Sequence, residues 1–460
     1  MGKAGKSLKQ VLEAHGISQS RLANALGVER PIVHRWFHEQ TDPTAETVVG
    51  IVDVLREINP VAAENFINLF LGSSSPKNES IPLLATSQDL PASDQVNVSI
   101  LVRFFEDTTN SYKYLFFISL LDILRRRQFD VLSSISFKEL VIEMLANAWY
   151  PHTYFKLSFG LQDKIADQLD SLNLEIGEPI LKFTDTDKKL LRKTIKDQDI
   201  EDTVKYISRY VPFRLIRPFF AQQLAGLPDV KVNQSIVDLA ESEFDTCKPL
   251  YRFDSPKVGS CTSILFNEDW VDYIETNYTI IRAWVSWEWL NYMQRRNPNL
   301  PGIVNKLFMP QERDSLDKQT KYWKVVLDNT SINCIYSKQS VDSKKFSLDH
   351  YLPWSFVAHD QLWNLIPVPI EVNSSKSNNL PAHQYFKEFV SVQHTGLTTS
   401  HENLGEKVWI KYVEPFIADL KLNDEDLLDI EHLQNAYDSV MQPLISLAGK
   451  QGFTPNWTYL

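Results

Sequence analysis

Only three cysteines occur in 460 residues, Cys247, Cys261 and Cys334. They are odd in number and far apart, which argues against both a disulfide framework and a zinc cage. No apolar run approaches the roughly 18 residues of a membrane span, and "MGKAGKSLKQ" at the start lacks the apolar centre of a secretory signal. A cytoplasmic location without membrane contact is the expectation. No Gly-rich phosphate loop and no Ser-His-Asp signature is found, so neither an NTP-driven motor nor an acyl hydrolase has support. Excess positive charge is missing as well. The net charge of -11 rules out a surface coated for nucleic acid, and any such binding has to be local. Glycine, at 15, is outnumbered by proline, at 23, a balance that suits many helices with Pro-marked ends.

What is present is ample material for packed cores, with 43% hydrophobic and 12% aromatic residues. The length exceeds what one core serves, so several domains are expected. The expected fold is multidomain and mainly α. Short helices punctuated by Gly and Pro fill residues 1–72, and a Ser/Pro-rich linker covers 73–95. A mainly helical middle domain spans 96–320 and a strand-containing module 321–390. A helical tail occupies 391–460. In the module, "INCIYSKQ" and "KKFSLDHYLP" read as two short strands joined by polar residues.

The N-terminal 38 residues carry six Lys or Arg against two Glu, a local basic excess. Within them, "SQSRLANALGVERPIVHRWFHEQ" has Ser18 as N-cap, Leu22, Ala23 and Leu26 as a buried face and Gly27 as a tight turn. Val28, Ile32, Val33 and Trp36 then repeat at helical spacing, leaving Arg30, Pro31, His34 and Arg35 outward. With its neighbours this stretch resembles the Cro/repressor-type helix-turn-helix domain. The resemblance implies base contacts from Arg30, Pro31 and His34, and phosphate contacts from Gln19, Arg35 and His38. Phe37 departs from the polar residue usual in the family. The alternative is a module that serves only as a protein contact or dimerisation unit.

Further along, "SLDHYLPWSFVAHDQLWNLIPVPIEVNSSKSNNLP" places Asp349 and His350 at a strand end, with Pro353 breaking the ladder. A loop with Asn364 follows. A short helix starting at Pro369 then carries Asn373 and Lys376. A neutral imidazole suits His350 to take a proton from water, and hard oxygens from Asp349 and Asn373 suit a divalent cation. Asn364 is placed to orient the loop of His350, and Lys376 to meet a phosphate. His359 is expected to be exposed in its loop. Trp354 and Trp363 are expected to pack the helix on the strands.

These residues resemble the HNH endonuclease family, in the Asp-His…Asn…Asn form found in the HNH module of CRISPR effector nucleases and in bacterial defence proteins. The resemblance implies a ββα-metal fold with Asp349 and Asn373 as metal ligands, His350 as general base and Asn364 as a structural residue. Mg²⁺ or Mn²⁺ is the implied cofactor. Many relatives hold a structural zinc with Cys-x-x-Cys pairs. Here Cys334 is followed by Ser337 where the second cysteine would stand, so no structural zinc is expected. DNA is the implied substrate and partner, and a role in defence against foreign DNA rests on the family alone. A homodimer, a guide and a protein partner all stay open. The competing reading is a helix-turn-helix transcriptional regulator that keeps a non-catalytic HNH-like module.

Overall fold

The computed structural model describes residues 3–15, 17–38, 40–71, 90–106, 108–131, 133–177, 180–308 and 315–459. Most of the expected linker, residues 73–89, lies outside the described residues. Contacts divide the chain into two units, residues 1–85 and 86–460. Among the described residues no helix is long and apolar enough to cross a membrane.

The first unit is built from helices Lys3–Ala14, Gln19–Leu26, Arg30–Phe37, Ala45–Ile58 and Pro60–Leu71. Ser18 caps the second helix by accepting the Arg21 amide. Gly27 turns the chain at φ 69°, a left-handed conformation that a side chain would disfavour. Leu22, Ala23, Val33 and Trp36 face inward onto Leu8, Ile51, Leu55 and Phe66. Leu26, Val28 and Ile32 pack at the edge, half-buried.

The second unit is helical with two small sheets, and it has two hydrophobic cores. Helix Tyr112–Arg126 is the hub of the first core, buried almost without interruption from Tyr114 to Leu124. Helices Phe137–Trp149 and Tyr278–Arg296 pack against it. Strand Ser263–Phe266 lies between Ile135–Ser136 and Tyr251–Phe253 as an antiparallel sheet that the sequence did not suggest. Arg126 pairs with Glu143 at 2.8 Å and Arg127 with Glu139, so this basic run ties two helices together. In the Trp-rich helix, Trp284 and Trp289 are buried while Trp287 is half-buried.

The second core contains the strand-containing module and all three long C-terminal helices, Phe386–Asn403, Glu406–Leu420 and Ile430–Lys450. The boundary expected at 390 falls inside helix Phe386–Asn403, whose Phe389 and Val390 are core residues. The one expected at 320 falls inside helix Asp317–Asn329. Neither point separates two bodies, because both helices pack on the module.

The sheet of the module also differs from expectation. Strand Ser347–His350 pairs antiparallel with Leu365–Val368, not with the "INCIYSKQ" stretch. That stretch is a turn-rich segment pinned by isolated bridges, Asn333 to Ser340 and Asp342 to Lys345. Leu365–Val368 reads as loop because it lacks alternation and contains Pro367. In the structure all four residues are buried, and a two-stranded ribbon tolerates a proline that cannot donate to the ladder. Helix Ile370–Lys376 follows, capped by Pro369, and completes a ββα unit.

Candidate active site

Successive side chains of a strand leave on opposite faces, and Asp349 and His350 behave accordingly. Asp349 points into the module, where it is 2% exposed. Its Oδ2 accepts the Tyr336 hydroxyl at 2.8 Å. Its Oδ1 accepts Lys376 Nζ at 2.9 Å. Lys376 is fully buried and donates also to the His350 carbonyl at 2.6 Å. This corrects the placement expected for Lys376. It turns inward from its helix because a buried carboxylate and a strand-end carbonyl both need a donor. Burial and the nearby Asp349 charge hold the Tyr336 phenol well above its ordinary range, so it stays a donor.

His350 faces the loop beyond the strand, where its Nε2 lies 2.7 Å from Asp360 Oδ1. Both side chains are nearly buried, 11% and 14% exposed. Asp360 was not anticipated as a partner. Nine residues, with the short helix Trp354–Val357 among them, separate the two, and no periodicity links them. His359 is not the exposed loop residue expected. It is half-buried against the Trp363 ring, 5.2 Å between centroids, and burial pushes its imidazole down to about 4. It is therefore neutral at neutral pH.

Asn364 is fully buried. Its Oδ1 accepts the Leu352 amide at 2.8 Å, and its Nδ2 donates to the Leu352 carbonyl at 2.9 Å. The Asn364 carbonyl accepts the Tyr351 amide, extending the ladder past His350. The turn after the strand is thus held on both edges. Asn373, one turn before Lys376, donates Nδ2 to Ser347 Oγ at 2.7 Å and to the Leu348 carbonyl. Its Oδ1 takes no hydrogen bond from any described residue. Trp363 lies in the module core and donates to Asp419. Trp354 instead leaves the module and packs on Phe155 and Phe183 of the first core.

The expected ligand pair does not form a ready cation site in this fold. Both oxygens of Asp349 are committed, and the Lys376 ammonium stands where a bound cation would neutralise the carboxylate. Asn373 Oδ1 is the one outward oxygen of the pair. No group of three or more His, Cys, Asp or Glu among the described residues is arranged to hold a metal ion. Cys334 is a free, buried thiol in the second core.

In the first unit, Arg30, Pro31, His34, Arg35 and His38 are all exposed along helix Arg30–Phe37 and its C-cap. The His34 and His38 rings lie 4.2 Å apart. Gln19 is half-buried at the start of the preceding helix. Phe37 packs under Lys9, whose ammonium lies 5.8 Å from the ring centre, which gives this departure a structural role.

These two constellations match known families. The family model described as HNH endonuclease matches residues 334–382, and the one described as helix-turn-helix matches residues 8–61. No curated protein and no solved structure matches the chain. The mainly helical, multidomain chain thus carries an N-terminal segment similar to helix-turn-helix domains and a C-terminal segment similar to HNH endonucleases.

Proposed function

We propose that this protein is a DNA endonuclease that hydrolyses a phosphodiester with His350 as general base. The observation that carries the reading is the 2.7 Å contact of His350 Nε2 with Asp360. A carboxylate beside the ring orients the imidazole and stabilises the imidazolium that forms when His350 takes a proton from water. The water oxygen then bonds to phosphorus and the bond to the 3′-oxygen breaks; the departing oxygen takes a proton from solvent water, which leaves a 5′-phosphate and a 3′-hydroxyl. Asn364 keeps the turn carrying His350 in place, and Asn373 Oδ1 faces outward from the adjoining helix. Mg²⁺ or Mn²⁺ is the cofactor we propose, for neutralising charge on the phosphate. Asp349 as folded does not present an oxygen to it, and the proton taken from water is assigned to His350 alone. Arg30, Pro31, His34, Arg35, His38 and Gln19 are the proposed contacts to duplex DNA. A role in defence against foreign DNA is proposed from the family resemblance alone.

Supercoiled plasmid incubated with Mg²⁺, Mn²⁺ or EDTA tests this. Nicking by the wild type that falls by at least about 10²-fold in His350→Ala is the expected result. Equal nicking by His350→Ala would overturn the role of His350. The commitment of Asp349 to Lys376 and Tyr336 favours a second reading, a helix-turn-helix regulator with a non-catalytic module. Duplex binding without cleavage under any metal would select it.

A further inference from the structure

Away from the nuclease module, the helical part of the second unit contains a cavity of about 560 Å³. Its wall runs from Arg103 through the start of helix Tyr112–Arg126, and on to the segment between Tyr206 and Ala221. Five cations, Arg103, Lys113, Arg209, Arg214 and Arg217, line it, against Glu106 as the one described carboxylate. Like charges do not gather in one hollow without cost, least of all in a chain of net charge -11. Some are neutralised from behind. Arg214 pairs with Asp229 at 2.8 Å and donates to Asn233, and Arg103 reaches Glu106 at 3.6 Å. Arg209 and Arg217 are exposed and form no ion pair with any described residue. Among the described residues the lining of the hollow therefore carries more positive than negative charge, although Asp229 also lies near enough to Arg217 to interact with it.

Its second feature is aromatic. Tyr206, near the end of helix Glu201–Ser208, and Tyr210, in the turn that follows it, are 48% and 49% exposed, high for rings beside a core. The Arg209 guanidinium lies 5.1 Å from the centre of the Tyr210 ring and that of Arg214 6.0 Å. Ile207, Val211 and Ala221 supply an apolar floor. The volume falls within the roughly 300–1,000 Å³ of small-molecule sites. Guanidinium forks suit phosphate oxygens, and planar rings suit a heteroaromatic base.

We propose that this cavity binds a phosphorylated nucleoside. Arg209 and Arg217 take the phosphate, with Lys113 on the facing wall, and the base stacks on Tyr206 or Tyr210. The ligand is either a free nucleotide or the phosphorylated end of a strand. The inference does not depend on the nuclease reading.

Calorimetric titration of the full chain in EDTA tests it, with ATP, adenosine, inorganic tripolyphosphate and 5′-phosphorylated (dT)4 as probes. The variants are Arg209→Ala/Arg217→Ala and Tyr206→Ala/Tyr210→Ala. All four positions are exposed, and unchanged melting confirms folding. ATP or the oligonucleotide should bind the wild type, about tenfold or more weaker in the arginine variant. The tyrosine variant should lose about tenfold for these two probes and nothing for tripolyphosphate. Tighter binding of ATP identifies a free nucleotide as the ligand, and tighter binding of the oligonucleotide a strand end. The proposal is overturned if neither binds, if the arginine variant binds like the wild type, or if tripolyphosphate binds as tightly as ATP.

Discussion

Asp349 shows how much one charge can organise. Its carboxylate is buried, and two donors from different segments, Tyr336 and Lys376, converge on it. Lys376 also holds the His350 carbonyl, so the end of the strand, the helix and the turn-rich segment meet at one ion pair. A buried pair adds little over an apolar pair of similar shape, but removing one partner strands the other. Lys376→Met should lower the stability of this part of the chain by about 3–5 kcal/mol at neutral pH. Asp349→Leu/Lys376→Met should recover most of that loss, short of about 1–3 kcal/mol for the orphaned Tyr336 hydroxyl. Urea unfolding of the three proteins measures both differences, and a double variant no better than Lys376→Met would contradict the pairing. Because the ammonium fills the cation's place, millimolar Mn²⁺ should raise the melting temperature of Lys376→Met more than that of the wild type.

Among the elements, the turn between the two module strands carries the geometry of His350, and Asn364 is its fastener. Gln393, buried on helix Phe386–Asn403, donates to the Leu362 and Leu365 carbonyls on either side of it. Tyr437 donates to the Trp363 carbonyl and Asp419 accepts the Trp363 indole. All three long C-terminal helices thus brace one loop, which explains why they share its core. Asn364→Leu leaves the Leu352 amide and carbonyl buried without partners and should cost about 2–4 kcal/mol. It should also abolish nicking. A stable Asn364→Leu protein would show that the loop is held by its other contacts. What could be read in advance follows from the range of each signal. The helix-turn-helix segment was legible because capping, the Gly27 turn and a 3.6-residue period act within one or two turns of chain. The helix bearing Asn373 was legible from Pro369. Strand Leu365–Val368 was not, since a strand buried on both faces loses its alternation. Asp360 could be found only by folding, as its meeting with His350 depends on how a loop returns. The same holds for Lys376, since sequence places it on a helix face without showing what that face meets.

The whole molecule is not a string of separate parts after residue 85. Residues 86–460 form one compact unit in which the two cores meet along the loop that follows strand Ser347–His350. Trp354 crosses from the module into the first core, and Leu300 packs against both cores. Gly302, at φ 60°, lets the chain pass the Val357 carbonyl, which an added Cβ would approach to 2.8 Å. Just beyond it, Asn305 donates to the Ala358 carbonyl at 3.2 Å. At this joint sits Lys306, fully buried, with its Nζ 5.4 Å from the centre of the Phe356 ring. That ammonium makes no hydrogen bond with any described residue. Burial lowers its ionisation from 10.5 to about 7. Below the folded value both states carry the proton, and the folded state bears the full cost of a buried charge. Between about 7 and 10.5 the unfolded chain holds a proton that the folded chain has released. Stability from this residue therefore rises with pH across that window, by up to about 1.4 kcal/mol per pH unit. Met has a similar length and no charge, so Lys306→Met should be more stable than the wild type at pH 7. Its advantage should shrink steadily at pH 8 and 9. Urea midpoints of both proteins at the three pH values give the comparison, and a gap that stays constant would mean that Lys306 keeps its proton in the folded joint.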